Sequence, residues 1–73
     1  MLRVGSFSFR IYTQDHAPPH VHAYNADGRC KVDIGTGQVS KVLGMKSPDA
    51  KEASSIVQAH RALLTLKWEQ IHG

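Results

Sequence analysis

Eight residues, Asp15-His16-Ala17-Pro18-Pro19-His20-Val21-His22, hold most of the chemistry available to this chain. On an extended backbone alternate residues share a face, so His20 and His22 project together about 6.6 to 6.8 Å apart. Imidazoles in that relation suit three tasks: chelating a metal, dividing acid and base roles, or binding an anion. Pro18-Pro19 stiffens the backbone ahead of them, which lowers the entropy lost in holding one geometry. Imidazoles ordinarily titrate near neutrality. His20 and His22 can therefore act as acid and base, with Arg10 or Lys31 steadying negative charge on a phosphoryl centre. That is the equipment of a metal-independent, histidine-based ribonuclease. No nucleophile motif, phosphate loop or carboxylate pair accompanies it.

A metal needs a third ligand, which His16, Asp15 or Asp33 could supply, and such a set suits zinc with a position left for water. The absence of a fourth strong ligand or a cysteine pair argues against a closed structural zinc site. An extended Pro18-Pro19 carries His16 away from the pair, and Asp33 reaches it only if its strand pairs in the right register. The expectation is therefore no cofactor and no tightly held metal, with at most weak Zn²⁺ or Ni²⁺ binding through His20 and His22. A third reading makes Asp15, His16 and the prolines a rigid corner whose imidazoles bond backbone groups or contact a partner protein.

The surrounding sequence must position these groups. Phe7, Phe9 and Ile11 alternate with Ser8, Arg10 and Tyr12, as in a half-buried strand ended by the Asp15–Pro19 stretch. A second strand puts Val21 and Ala23 inward and His20, His22 and Tyr24 outward. Asn25-Ala26-Asp27-Gly28 is turn chemistry, with Gly28 expected to supply positive φ. Cys30, Val32 and Ile34 then alternate with Arg29, Lys31 and Asp33, and residues 38–43 read as a short fourth strand after Gly35-Thr36-Gly37. Ser47-Pro48-Asp49 opens a helix, with Ser47 as the expected cap, Pro48 in the first turn and Asp49 at the positive dipole end. At ~100° per residue Ala53, Ile56, Val57, His60, Leu63, Leu64, Trp68 and Ile71 form one apolar stripe. His60 reads as a hydrogen-bonded boundary histidine, His72 as a C-terminal group suited to the dipole, and Cys30 and Trp68 as core.

The predicted fold is a single α+β domain over residues 1–73: a meander of about four antiparallel strands packed on one long C-terminal helix. The helix covers Phe7, Phe9, Ile11, Val21, Val32 and Ile34. The open face keeps Arg10, Tyr12, His20, His22, Tyr24, Lys31 and Asp33.

A domain of 73 residues buries only about 60% of its unfolded surface and is marginal, so it often takes a support. With Cys30 the sole cysteine, no internal disulfide forms, leaving a metal, a homo-oligomer interface or a partner protein. The lone cysteine fits a reducing compartment. No apolar run of signal-peptide length opens the sequence, and no window approaches the roughly 20 residues of a membrane span. A cytoplasmic protein is expected. The net charge of +3 is compatible with RNA, DNA or an acidic protein as partner.

The Asp15-His16-x-Pro18-Pro19-His20-Val21-His22 motif, followed by a short strand, a glycine turn and a Trp-containing helix, resembles the small bacterial proteins grouped as domain of unknown function 4160. The resemblance runs from Phe7 to Trp68 and places weight on Asp15, His16, Pro18, Pro19, His20 and His22. The chain departs from it only in Ala17, where a third proline or another residue often stands. Such proteins tend to be encoded beside a second small protein, which resembles a toxin–antitoxin pair. The resemblance thus implies a two-protein module with a small cognate partner, and the open polar face with its paired imidazoles adds the expectation that the chain acts on or binds nucleic acid. A non-enzymatic protein-binding module and a metal-dependent hydrolase stand as alternatives.

Overall fold

Residues 2–72 are described in a computed structural model. The alternating half of the chain forms β1 (Leu2–Val4), β2 (Phe7–Arg10), β3 (His20–Tyr24), β4 (Arg29–Asp33) and β5 (Val39–Leu43). These strands lie side by side in chain order as one antiparallel sheet. Two helices follow, α1 (Ser47–Ala59) and α2 (Arg61–His72). The class is α+β, as the sequence predicts, but there are five strands and not four, and two helices and not one.

The additional strand is β1. Val4 pairs with Phe7, so Gly5 and Ser6 form a two-residue hairpin loop, and Gly5 takes φ +58° at its first position. That is the place where such a loop needs glycine. The helix breaks at His60, which has φ −111° and ψ 22°. Its Nδ1–H donates to the Ile56 carbonyl at 2.9 Å. Arg61 Nε then donates to the Ile34 carbonyl at 3.0 Å, fixing the start of α2 at the end of β4. The redirected α2 buries Leu64 and Trp68. Leu63 and Ile71, expected on the buried stripe, are 41% and 37% exposed.

Two local expectations are also corrected. Ser47 does not cap α1: Lys46 holds the cap position in an extended conformation without a side-chain bond, and Ser47 is already helical. Gly28 does not take positive φ. Asn25 Oδ1 instead accepts the Asp27 and Gly28 N–H groups at 3.0 and 2.9 Å, so a side chain shapes the turn. Glycine is needed at 28 because an added Cβ would stand 1.9 Å from the Leu43 carbonyl oxygen.

The predicted inward set is the core. Phe7, Phe9, Ile11, Val21, Ala23, Cys30, Val32 and Ile34 are buried together with Ala50, Ala53, Val57, Leu64 and Trp68. Alanines at 50 and 53 let α1 approach β4 and β5 closely, and Ser54 Oγ–H donates to the Gly37 carbonyl at 2.6 Å. Among the described residues no helix is long and apolar enough to cross a membrane.

Candidate functional site

The segment from Ile11 to Pro19 leaves β2 and returns to β3, and four backbone-anchored contacts fix its path. The Asp15 N–H donates to the Tyr12 carbonyl at 3.1 Å, and the Tyr12 N–H donates to Asp15 Oδ2 at 3.0 Å. His20 Nδ1 lies 2.9 Å from the Pro18 carbonyl, and the Ile34 N–H donates to the Pro19 carbonyl at 3.0 Å. Both prolines thus act through their carbonyl oxygens, and the Ala17–Pro18 peptide is cis.

This path delivers the Asp15 carboxylate onto the two imidazoles. His22 Nε2 is 3.1 Å from Asp15 Oδ1 and 3.2 Å from Oδ2, and His20 Nε2 is 3.6 Å from Oδ1. The imidazole centroids stand 5.2 Å apart, edge to face. One donor atom from each of Asp15, His20 and His22 lies within 4.8 Å of the others. Of the three third donors the sequence offers, Asp15 is the one gathered with the imidazoles, held there by the Tyr12–Asp15 turn. Asp33 is not that ligand: although it pairs with His20 in the register, its Oδ1 accepts the Thr36 N–H at 2.8 Å. His16 is exposed and outside the cluster.

His20 was expected on an open face, yet it is 8% exposed. Trp68 lies against it with centroids 5.5 Å apart and is itself stacked on His72 at 3.9 Å. His72 Nε2 is 3.1 Å from the Tyr12 carbonyl, so the end of α2 closes over this end of the sheet. Trp68 is core, as expected, and it also forms one wall of the site.

Electrostatics set what the cluster can do. A carbonyl only accepts, so His20 Nδ1 carries the hydrogen facing Pro18. Nε2 is thereby the ring nitrogen turned toward Asp15 Oδ1. Burial alone would raise the Asp15 carboxyl. The Tyr12 N–H, the His22 hydrogen bond and the nearby His22 and His20 charges outweigh it and hold the group below its ordinary 3.8. An ionised Asp15 orients His22 as a carboxylate–imidazole pair, a form suited to proton transfer or to metal ligation.

Outward from the cluster, Arg10 pairs across to His22 and His22 to Lys31, so these side chains form a row across the open face. Neither Arg10 nor Lys31 makes an ion pair among the described residues. Tyr24 sits one step along, its hydroxyl 2.7 Å from that of Tyr12. That bond, with burial, pushes the Tyr24 phenol above its ordinary 10.0 against the opposing charges of Arg29 and Arg10. Two cavities adjoin at Lys31. One, of about 500 Å³, is walled by Asp15, His16, His20 and Asp33. The other, of about 420 Å³, is walled by Tyr12, His22, Tyr24, Arg29 and Lys41.

Sequence reasoning missed Lys41 and the Tyr12 backbone. Cys30 of β4 faces both Lys41 and Val42, a bulge between the Lys31–Ser40 and Arg29–Leu43 pairs, and Lys41 takes φ +54° there. No glycine marks that position, so nothing in the sequence announces the bulge. Tyr12 lies on the open face as the alternation predicts, and its N–H and carbonyl in addition bind Asp15 and His72.

The family described as Domain of unknown function (DUF4160) matches residues 6–69. No curated protein and no solved structure matches the chain.

Proposed function

The chain belongs to the DUF4160 family, and from that premise we propose that it is the nucleic-acid-directed component of a cytoplasmic, toxin–antitoxin-like pair of proteins. The observation that carries this reading is the open sheet face, where Arg10, His22 and Lys31 form a cross-strand row. Arg29 and Lys41 stand beside them, around Tyr12 and Tyr24. Unpaired cations with exposed aromatic surface are the means by which proteins hold single-stranded nucleic acid, cations tracking phosphates while rings stack on bases. Tyr12 is 41% exposed and its ring lies 4.9 Å from His22, so a base held there would bring its phosphate to the Asp15–His22 pair. A cognate partner has a place to bind at the outer edge of the sheet. There β5 has no neighbour on one side, and Val42 and Leu43 are 46% and 58% exposed.

Expression in a bacterium, with and without the neighbouring gene, tests the reading. Growth arrest by the protein alone, relieved by the neighbour and abolished by His22→Ala, is expected. A protein harmless at high level removes the toxin role. If the neighbour still binds the protein and no turnover is found, the site serves contact alone.

A further inference from the structure

We infer that Asp15, His20 and His22 form a binding site for a divalent first-row transition-metal ion, with zinc the best match to the donors. Two imidazoles and one carboxylate are a recurrent three-ligand set, and it leaves coordination positions for water or an oxyanion. With metal–ligand bonds of about 2.0 to 2.2 Å, adjacent ligand atoms lie roughly 2.8 to 3.1 Å apart in octahedral sites and roughly 3.3 to 3.6 Å apart in tetrahedral ones. The Asp15 Oδ1 separation from His22 Nε2, 3.1 Å, matches such a spacing, and that from His20 Nε2, 3.6 Å, stands at its long, tetrahedral end. Closing the remaining imidazole–imidazole gap, within 4.8 Å, requires His22 to rotate, and its side chain, 23% exposed, is the least enclosed of the three.

Three further observations point the same way. The His20 tautomer is set by the Pro18 carbonyl at 2.9 Å, the outer-shell arrangement that aims Nε2 at a metal. Asp15 Oδ2 is held by the Tyr12 N–H, leaving Oδ1 directed at both rings. Asp15 and His20 are also largely withdrawn from water, their side chains 14% and 11% exposed, where the charge of a dication is screened least. Among the described residues this is the sole group of three histidine, cysteine or acidic donors so gathered.

The site lies between the two cavities that meet at Lys31, so open positions on the ion face the row of cations. A bound dication adds two positive charges to a face that Asp15 and Asp33 otherwise render partly acidic. Phosphate oxygens are the ligands this surroundings favours. The metal site stands independently of the nucleic-acid reading.

Titration of tag-free, chelator-treated protein with Zn²⁺ alone, followed by calorimetry, tests the inference, with Co²⁺ as the spectroscopic probe. One equivalent per chain is expected, and Co²⁺ should develop visible d–d bands of low coordination number. Asp15→Asn and His22→Gln, chosen to preserve shape, should each weaken Zn²⁺ binding by more than about tenfold. Glu52→Gln, which neutralises an exposed carboxylate of α1 outside the site, should leave it within twofold. Far-UV circular dichroism shows whether each variant is folded. Folded wild-type protein that binds no stoichiometric Zn²⁺, or binding that survives Asp15→Asn with His22→Gln, overturns the inference. RNA binding by the metal-free protein is scored separately, so loss of one result leaves the other standing.

Discussion

Removal of charge from the open face gives the most quantitative test of nucleic-acid binding. Arg10, Arg29, Lys31 and Lys41 surround the Tyr12–Tyr24 pair. If each engages one phosphate of a single strand, the slope of log K against log salt is about −0.7 per contact, near −2.8 for four. Affinity should then fall by about 50-fold between 50 and 200 mM salt. Arg10→Ala with Lys31→Ala removes two contacts, halves the slope to about −1.4, and leaves only about a sevenfold fall across that range. Fluorescence anisotropy of a short labelled single-stranded RNA, run over a salt series, measures both slopes. The double variant should weaken binding to all sequences alike, since phosphate contacts carry no base identity. A wild-type slope near zero refutes the reasoning, as does a double variant that keeps the wild-type slope.

Two further outcomes concern the scaffold. Gly28→Ala should cost about 3 kcal/mol or more by denaturant unfolding, since the new Cβ meets the backbone carbonyl of Leu43 at 1.9 Å and the backbone must shift; a loss under 1 kcal/mol would show that the turn has room. Burial pushes the Cys30 thiol above its ordinary 9.0, so its contribution to stability is fully present below pH 9.0 and is lost as pH rises toward the raised folded value. Chemical denaturation from pH 8 to pH 10 should show that decline, reduced in Cys30→Ala, and iodoacetamide should label the native thiol far more slowly than the unfolded one.

The parts of this fold legible in the sequence are those that repeat. Phe7, Phe9, Val21, Val32 and Ile34 declare their face through period two, and all are buried. The junctions are harder to see. The Gly5-Ser6 loop signals β1, yet that strand has just three residues, too few for alternation to register. His60 breaks the helix with neither proline nor glycine, because the cause is tertiary: Arg61 reaches the Ile34 carbonyl, 27 positions away. The site follows the same division. The pairing of His20 with His22 and the relevance of Arg10 and Lys31 come from strand geometry. The choice of Asp15 over Asp33 depends on the Tyr12 N–H and the Thr36 N–H, each of which claims one carboxylate, and side-chain spacing carries no record of that competition.

The break at His60 connects the helices to the site. A single straight helix would carry the apolar stripe along the core face, with Leu63 and Ile71 inward. After the turn, α2 instead sends Trp68 onto His20 and His72 onto the Tyr12 carbonyl. Tyr12 in turn holds Asp15 through its N–H and Tyr24 through its hydroxyl. The site is thus assembled from three places in the chain: a loop carboxylate, two strand imidazoles and a helix-borne wall. A domain of 73 residues has little stability to spare, so loosening α2 withdraws both burial from His20 and support from Tyr12. Conversely, any ligand that draws Asp15 and His20 together stabilises the folded chain by mass action, roughly 2.7 kcal/mol at a hundredfold excess over its dissociation constant. That is a substantial share of the ~4 to 11 kcal/mol expected for a chain of this length. Filling the site is therefore expected to tighten the docking of α2, through the contacts that Tyr12 and Trp68 make with both.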